Sequence, residues 1–274
     1  MKNQGNLLLK QLLDSKLITI KNINSLNFGF FAINHRIKKL KSNSHVLEVG
    51  CGTGLLLNKL QNKYKKINFC GIEPGLTGFS EYRRISAHLS EISNTKIYNK
   101  PYQKFKSDNQ FDLIFAIDVF EHLDNPELFT LFLKKNLKKE GKCFLIFPNL
   151  FFYEPHFNIF RIINKKITYF FFRKRISTFE NNSNAKGLWD SLNFNALKHL
   201  KYCADIYNFK IQVLTSENEY IISRVAREKY FKHNKTFIWV LANCILFLRI
   251  HSIFNLPLFH HFSPYYSAVL KNND

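Results

Sequence analysis

A short apolar stretch, His45-Val-Leu-Glu-Val49, runs directly into Gly50-Cys-Gly-Thr-Gly54, and an amphipathic pattern from Leu55 to Tyr64 follows. This succession reads as strand, tight glycine turn and helix. Glycine takes positive φ without a Cβ penalty and lets the backbone pass close to a bound group. The helix that follows presents free N–H groups at its start. At the C-terminal edge of a parallel sheet, such a turn is where nucleotide-like cofactors sit. The spacing narrows the choice. A dinucleotide fingerprint is G-x-G-x-x-G, whereas here the third glycine comes one residue early and Leu55 holds its place. Glu48, inside the strand, favours a ligand that carries positive charge over a bare anion.

The same alternation continues. Ile67–Ile72 reads as a strand ending at Glu73-Pro74, a helix is expected around Gly78–Ser90, and Thr95–Tyr98 reads as a short strand. Phe111–Ile117 is a strongly apolar strand, Pro126–Leu137 a helix with proline suited to its first turn, and Lys142–Phe147 a fifth strand. Strands that alternate with helices imply right-handed crossovers and a parallel sheet covered on both faces. Before this unit, residues 1–41 read as helical, with Leu8, Leu12 and Leu9, Leu13 at four-residue spacing and a second helix from about Phe28 to Leu40. After it, residues 148–190 are aromatic and basic without alternation. Ser191–Tyr207 is expected as a helix, Phe209–Leu214 as a strand, and Tyr265–Leu270 as a last strand beyond a partly helical insertion at 219–262. The chain reads as one domain, 1–274. Residues 1–41 form a helical cap, 42–148 the cofactor-binding core, and 149–190 and 219–262 substrate or lid insertions.

The 274 residues are 46% hydrophobic, enough for a packed core, which excludes a disordered tail or a small disulfide-stapled fold. Lys+Arg number 40 against 20 Asp+Glu, a formal +20. The excess is spread over both halves and only nine of the 40 are arginine, so it reads as compositional bias more than as one polyanion site. The five cysteines include no CxxC and read as free thiols of a reducing compartment. The N-terminal apolar run of three is far too short for a signal peptide, so a cytoplasmic protein is expected, free or associated at the inner membrane surface.

Glu48-Val-Gly-Cys-Gly-Thr-Gly54, Glu73 and Asp118-Val-Phe-Glu-His-Leu123 together resemble the class I S-adenosylmethionine-dependent methyltransferases, in the branch with a V-L-E-H-like stretch after strand four. The resemblance covers residues 45–148 well and Tyr265–Leu270 loosely. It implies an α/β, Rossmann-like, doubly wound, seven-stranded and mostly parallel sheet with helical insertions, whose last strand is antiparallel. It implies S-adenosyl-L-methionine as cofactor, held by Glu48, Gly50, Cys51, Gly52, Thr53, Gly54, Glu73, Pro74, Tyr102 and Asp118, and no metal. Glu73 would take the two ribose hydroxyls, since a carboxylate accepts two hydrogen bonds from a vicinal diol. The acidic residue that family members often carry after strand three is replaced by Asn99-Lys-Pro-Tyr-Gln103, which leaves the adenine to backbone groups around Tyr102 or to its ring.

The acceptor is read by elimination. The chain has neither an Asp/Asn-Pro-Pro-aromatic run after strand four nor a Pro-Cys nucleophile, so nucleic acid is disfavoured. A small-molecule or carrier-linked acceptor remains, a sugar or a lipid; methylation at oxygen is the expectation over nitrogen. Two rivals stand beside this: a non-catalytic binding module with the same fold, and a nicotinamide-dependent oxidoreductase. His122, after strand four, and His156, in Tyr153-Glu-Pro-His156 after strand five, are the candidate general bases. Phe160–Ile176 carries six Lys/Arg, no carboxylate and the run Tyr169–Phe172, a composition suited to an anionic membrane surface or to a substrate lid. Phe237–Leu248 is apolar at 11 of 12 positions, short of the roughly 18 residues that span a bilayer, and is expected as a buried lid helix.

Overall fold

The computed structural model describes residues 2–75, 80–93, 95–123, 125–148, 196–214, 222, 226, 236–248 and 265–273. Seven strands form one sheet: β1 His45–Val49, β2 Asn68–Ile72, β3 Lys96–Tyr98, β4 Phe111–Ile117, β5 Leu137–Pro148, β6 Phe209–Leu214 and β7 Tyr265–Asn272. Their order is β3-β2-β1-β4-β5-β7-β6. Strands β1 to β5 pair in parallel, and β7 inserts antiparallel between β5 and β6. The expected α/β sheet with a reversed last strand is therefore present.

Both faces are covered because the strand sequences alternate without becoming polar. In β4, Leu113 and Phe115 face one core while Ile114 and Ala116 face the other; in β5, Phe144 and Ile146 oppose Cys143, Leu145 and Phe147. The first core receives Leu12 of α1 (Lys2–Asp14), Ala32, Ile33 and Ile37 of α2 (Ile20–Ile37), Leu57 and Leu60 of α3 (Leu55–Lys63), and Ile85 and Leu89 of α4 (Ser80–Ile92). The second receives Phe129, Phe132 and Leu133 of α5 (Pro126–Asn136), with Leu200 and Ala204 of α6 (Ala196–Ile206). Parallel strands buried on both faces read as continuous apolar runs, which is the pattern here.

The structure departs from the sequence reading at α2, at β5 and at the Phe237–Leu248 segment. Helix α2 starts at Ile20, eight residues before Phe28, because Thr19 caps it. The Thr19 hydroxyl accepts from Asn22 N–H, and the Asn22 side chain accepts from Thr19 N–H in return. Strand β5 begins at Leu137, which pairs with Phe111 before the register shifts. Gly141 lies at that irregularity, where a Cβ would stand 2.7 Å from the Phe111 carbonyl oxygen. The charged Lys138-Lys-Glu140 run hides this extension from an apolar-pattern reading. Finally, α7 (Thr236–Phe247) is not buried on all sides: Val240, Leu241, Cys244 and Phe247 are exposed, and so is Leu248 just beyond it. A helix apolar around its whole circumference cannot cover every side by packing on one surface. No helix among the described residues is long and apolar enough to cross a membrane.

Candidate cofactor and acceptor site

The glycine turn is tied down onto the end of β2. Gly50 N–H and Cys51 N–H both donate to the Ile72 carbonyl, at 2.8 and 3.1 Å. Gly50, Gly52 and Gly54 all have positive φ, of 70°, 53° and 76°. Their surroundings separate them. A Cβ on Gly50 would sit 2.3 Å from Val119 Cγ2, and one on Gly54 2.2 Å from Ile97 Cδ1, whereas the nearest atom to a Cβ on Gly52 is Tyr82 Cδ2 at 3.5 Å. Gly50 and Gly54 are thus needed to close the fold, and Gly52 faces the open side of the turn.

Glu73, immediately after β2, is the clasp. Its Oε2 accepts from Gly52 N–H at 2.8 Å and its Oε1 from Gly75 N–H at 2.9 Å. Each oxygen keeps a further acceptor position. Burial pushes the Glu73 pKa up, and the two N–H donors pull it partly back. Glu48 points into the same region from β1. It is 4% exposed, and its Oε2 has no hydrogen-bond partner. Burial, reinforced by the Glu73 charge, pushes the Glu48 pKa up to about 8. A buried acceptor without a donor marks a place where a charged or donating group binds.

A second set of groups lies at the end of β4. Asp118 holds φ +54°, a conformation that non-glycine residues rarely adopt outside strained or functional positions. Its N–H donates to the Ile146 carbonyl at 2.9 Å, and its carboxylate accepts from the Tyr265 hydroxyl. Solvent reaches Asp118 from the open edge, yet protein surrounds its carboxyl closely enough that desolvation pushes its pKa to about 7, with Tyr265 opposing. Glu121 is buried, its Oε2 has no partner, and burial together with the Asp118 charge pushes its pKa well up. His122 Nε2 stands 3.8 Å from Glu121 Oε1, too far for a direct hydrogen bond. Helix α2 closes over this end: the Phe28 ring meets Tyr265 edge-on at 5.6 Å, and Gly29 lies against Leu56 and Ile117.

Glu48, Gly50, Cys51, Gly52, Thr53, Gly54, Glu73 and Pro74 are therefore gathered at the C-terminal ends of β1 and β2, with Asp118 on the neighbouring strand. Tyr102 is placed differently. Its ring packs edge-on against Phe129 and Phe132 in the core, and its hydroxyl approaches the Asn125 carbonyl at 3.4 Å. That ring is committed to packing, so an adenine contact there would come from backbone. His122 sits one turn past Asp118, and His156 lies outside the described residues. Sequence reasoning did not bring Tyr265 and α2 to this end of the sheet. The Thr19-x-x-Asn22 cap was the available signal for α2, and none in the sequence tied Tyr265 to Asp118.

A parallel sheet with one reversed strand, and a glycine turn clasped by an acidic residue at its C-terminal edge, is the architecture of the class I S-adenosylmethionine-dependent methyltransferases. A family model described as "Methyltransferase domain" matches residues 30–199, and the chain belongs to that family. An uncharacterised protein of Mycobacterium tuberculosis is 27% identical over 239 residues, covering 86% of this chain and 78% of that one. An (S)-coclaurine N-methyltransferase of Papaver somniferum is 26% identical over 107 residues, 39% of this chain and 30% of that one. Among solved structures, the plantazolicin methyltransferase BpumL, in complex with a monoazolic desmethylPZN analog and SAH, aligns with TM-score 0.51 at 15% identity. The alignment covers 91% of this chain and 83% of that one. The chain is an S-adenosylmethionine-dependent methyltransferase.

Proposed function

We propose that this enzyme methylates a hydroxyl on a small or carrier-linked acceptor, a sugar or a lipid, at the cytoplasmic face of a membrane. The observation that carries the reading is the pairing of the Glu73-clasped turn with an Asp118–Tyr265 pair on the same sheet edge. The residues suit the cofactor. A Cβ on Gly52 would meet only the Tyr82 ring, no closer than 3.5 Å, Glu73 has acceptor capacity left for a ribose diol, and Glu48 offers a buried carboxyl to the cationic end. Gly50, Cys51, Thr53, Gly54 and Pro74 shape the turn around it. S-adenosylmethionine, when bound, supplies a methyl group on a positively charged sulfur.

The chain's own residues handle the acceptor. Asp118 and Tyr265 would hold the acceptor hydroxyl beside that methyl group, and the hydroxyl would give up its proton on taking the methyl. The hydroxyl proton then needs a base. Burial pushes the Asp118 pKa up to about 7 and the residue reaches solvent on that edge, which suits the task better than His122, whose near neighbour Glu121 is buried. An oxygen acceptor fits a site with a poised base, because a neutral amine needs none before attack. The shared segment with an N-methyltransferase supports an amine acceptor as the second reading.

Calorimetry with S-adenosylmethionine and with NAD tests the cofactor: binding of the first and none of the second is expected. Turnover to S-adenosylhomocysteine is then followed with polyprenol-linked sugars, with quinol precursors and with free sugars. Methyl release only with soluble amines would overturn the oxygen reading.

A further inference from the structure

Strand β6 runs parallel to β5, and β7 returns antiparallel between them. The connection from Leu214 to Tyr265 therefore leaves and rejoins the sheet at the edge that carries Glu48, Glu73 and Asp118. Helix α7 lies on this connection. Its exposed side is apolar: Val240 is 45% exposed, Leu241 48%, Phe247 88% and the adjoining Leu248 61%, with Cys244 exposed among them. At about 100° per residue these five fall within an arc of about 120°. The opposite side holds buried Ala242 and half-buried Trp239, whose indole N–H donates to the Ala226 carbonyl at 2.8 Å. The helix is thus anchored on one side and bare on the other.

The charge pattern says what covers the bare side. From Lys229 to Pro264 the sequence holds Lys229, Lys232, Lys235 and Arg249, four histidines and no carboxylate. Lys235 stands one residue before α7, and Arg249 directly after Leu248. Cations at both ends of an exposed apolar stripe match a surface with acidic headgroups above hydrocarbon. A second copy of this chain, at +20, would bring like charge to that contact. Twelve residues make a helix about 18 Å long, too short to cross a bilayer but long enough to lie in its interface.

We infer that α7 is a monotopic membrane-contact helix that seats the catalytic edge on an anionic bilayer. This deepens the carrier-linked reading of the acceptor and rests on it for its purpose, though not for its geometry. The Phe160–Ile176 stretch, also acid-free, follows β5 in the chain; it lies outside the described residues and is not needed here.

The test uses the full chain with vesicles of equimolar phosphatidylglycerol and phosphatidylcholine, and with phosphatidylcholine alone. The wild type is expected to co-sediment with the anionic vesicles, more weakly at physiological than at low salt, and to ignore the neutral ones. A polarity-sensitive dye on exposed Cys244 should shift to the blue on binding. Leu241→Glu with Phe247→Glu should lower vesicle affinity at least tenfold while S-adenosylmethionine affinity stays unchanged. Phe247→Ser alone, at the most exposed of these positions, gives a second reading if the double variant is unstable. Failure of the wild type to bind anionic vesicles at low salt overturns the inference, as does wild-type binding by the glutamate variant. A dimer in sedimentation equilibrium that the same variant dissolves overturns it in favour of a second copy. Vesicle binding without S-adenosylmethionine binding would instead overturn the cofactor-site reading and leave this surface standing.

Discussion

Gly52 and its two neighbours in the turn should separate cleanly on substitution. Gly52→Ala meets no atom closer than 3.5 Å, so the cost is the positive φ, of order 1 kcal/mol. The protein is expected to fold and to lose at least tenfold in S-adenosylmethionine affinity by calorimetry. Gly50→Ala and Gly54→Ala drive a Cβ into Val119 and Ile97, and should show a lowered melting temperature before any binding is measured. Glu73→Ala strands Gly52 N–H and Gly75 N–H and removes the charged acceptor. At about 1.5–3 kcal/mol for a charge-assisted bond, affinity should fall roughly ten- to a hundredfold. Glu73→Gln keeps one acceptor oxygen and should cost less. Glu48 gives a pH test. Its folded pKa, about 8, lies above the ordinary 4.5, so its contribution to stability is full below 4.5 and is lost as pH rises through about 8. Melting temperature of the free protein should fall across that window. Asp118, Glu121 and Glu73 shift in the same direction, so the comparison with Glu48→Gln, whose slope should be shallower, isolates Glu48.

Among the elements, α2 connects local sequence to the site. Its capping box at Thr19 and Asn22 fixes where the helix begins, and its far end places Arg36 over the Phe144 ring, 3.4 Å from the centroid. Between them, Phe28 and Gly29 lie against Tyr265, Leu56 and Ile117. Thr19→Ala should cost about 1 kcal/mol in urea unfolding. Because α2 covers the end of β4, the same variant should also weaken S-adenosylmethionine binding slightly, whereas a cap on an uninvolved helix would not. The helix after the glycine turn is organised differently. Gly54 is its N-cap, without a side-chain cap, and Leu55, Leu56, Leu57 and Leu60 bury its inner side. Its stability comes from that burial.

Across the whole molecule, the proposed site draws on Glu48, Glu73, Asp118 and Tyr265, which no local stretch of sequence contains. Reversal of β7 is what brings Tyr265 to the sheet edge that carries Asp118, opposite Pro148 at the end of β5. Tyr265→Phe removes the donor that holds the Asp118 pKa down. The acidic limb of the turnover profile should therefore move to higher pH, with the fold intact by circular dichroism. A profile that does not move would remove Asp118 from the role of base.

The sequence by itself determined the architecture of residues 45–148. Apolar runs such as Phe111–Ile117, punctuated by Gly50–Gly54 and Pro126, have one stable arrangement, a parallel sheet with helices on both faces. It marked the turn proposed to hold the cofactor for the same local reason: the glycine spacing after Glu48, and an acidic residue ending the next strand at Glu73, are both legible in short stretches of sequence. Only the tertiary structure decided which of those glycines faces outward, because that depends on Val119 and Ile97 arriving from distant strands. It alone withdrew the Tyr102 ring into the core, where Phe129 and Phe132 of a later helix receive it. It alone left one side of α7 bare, since a helix apolar all round carries no mark of which side finds a neighbour. Periodicity reports what a segment needs to bury; only the assembled surfaces determine what is left to bury it.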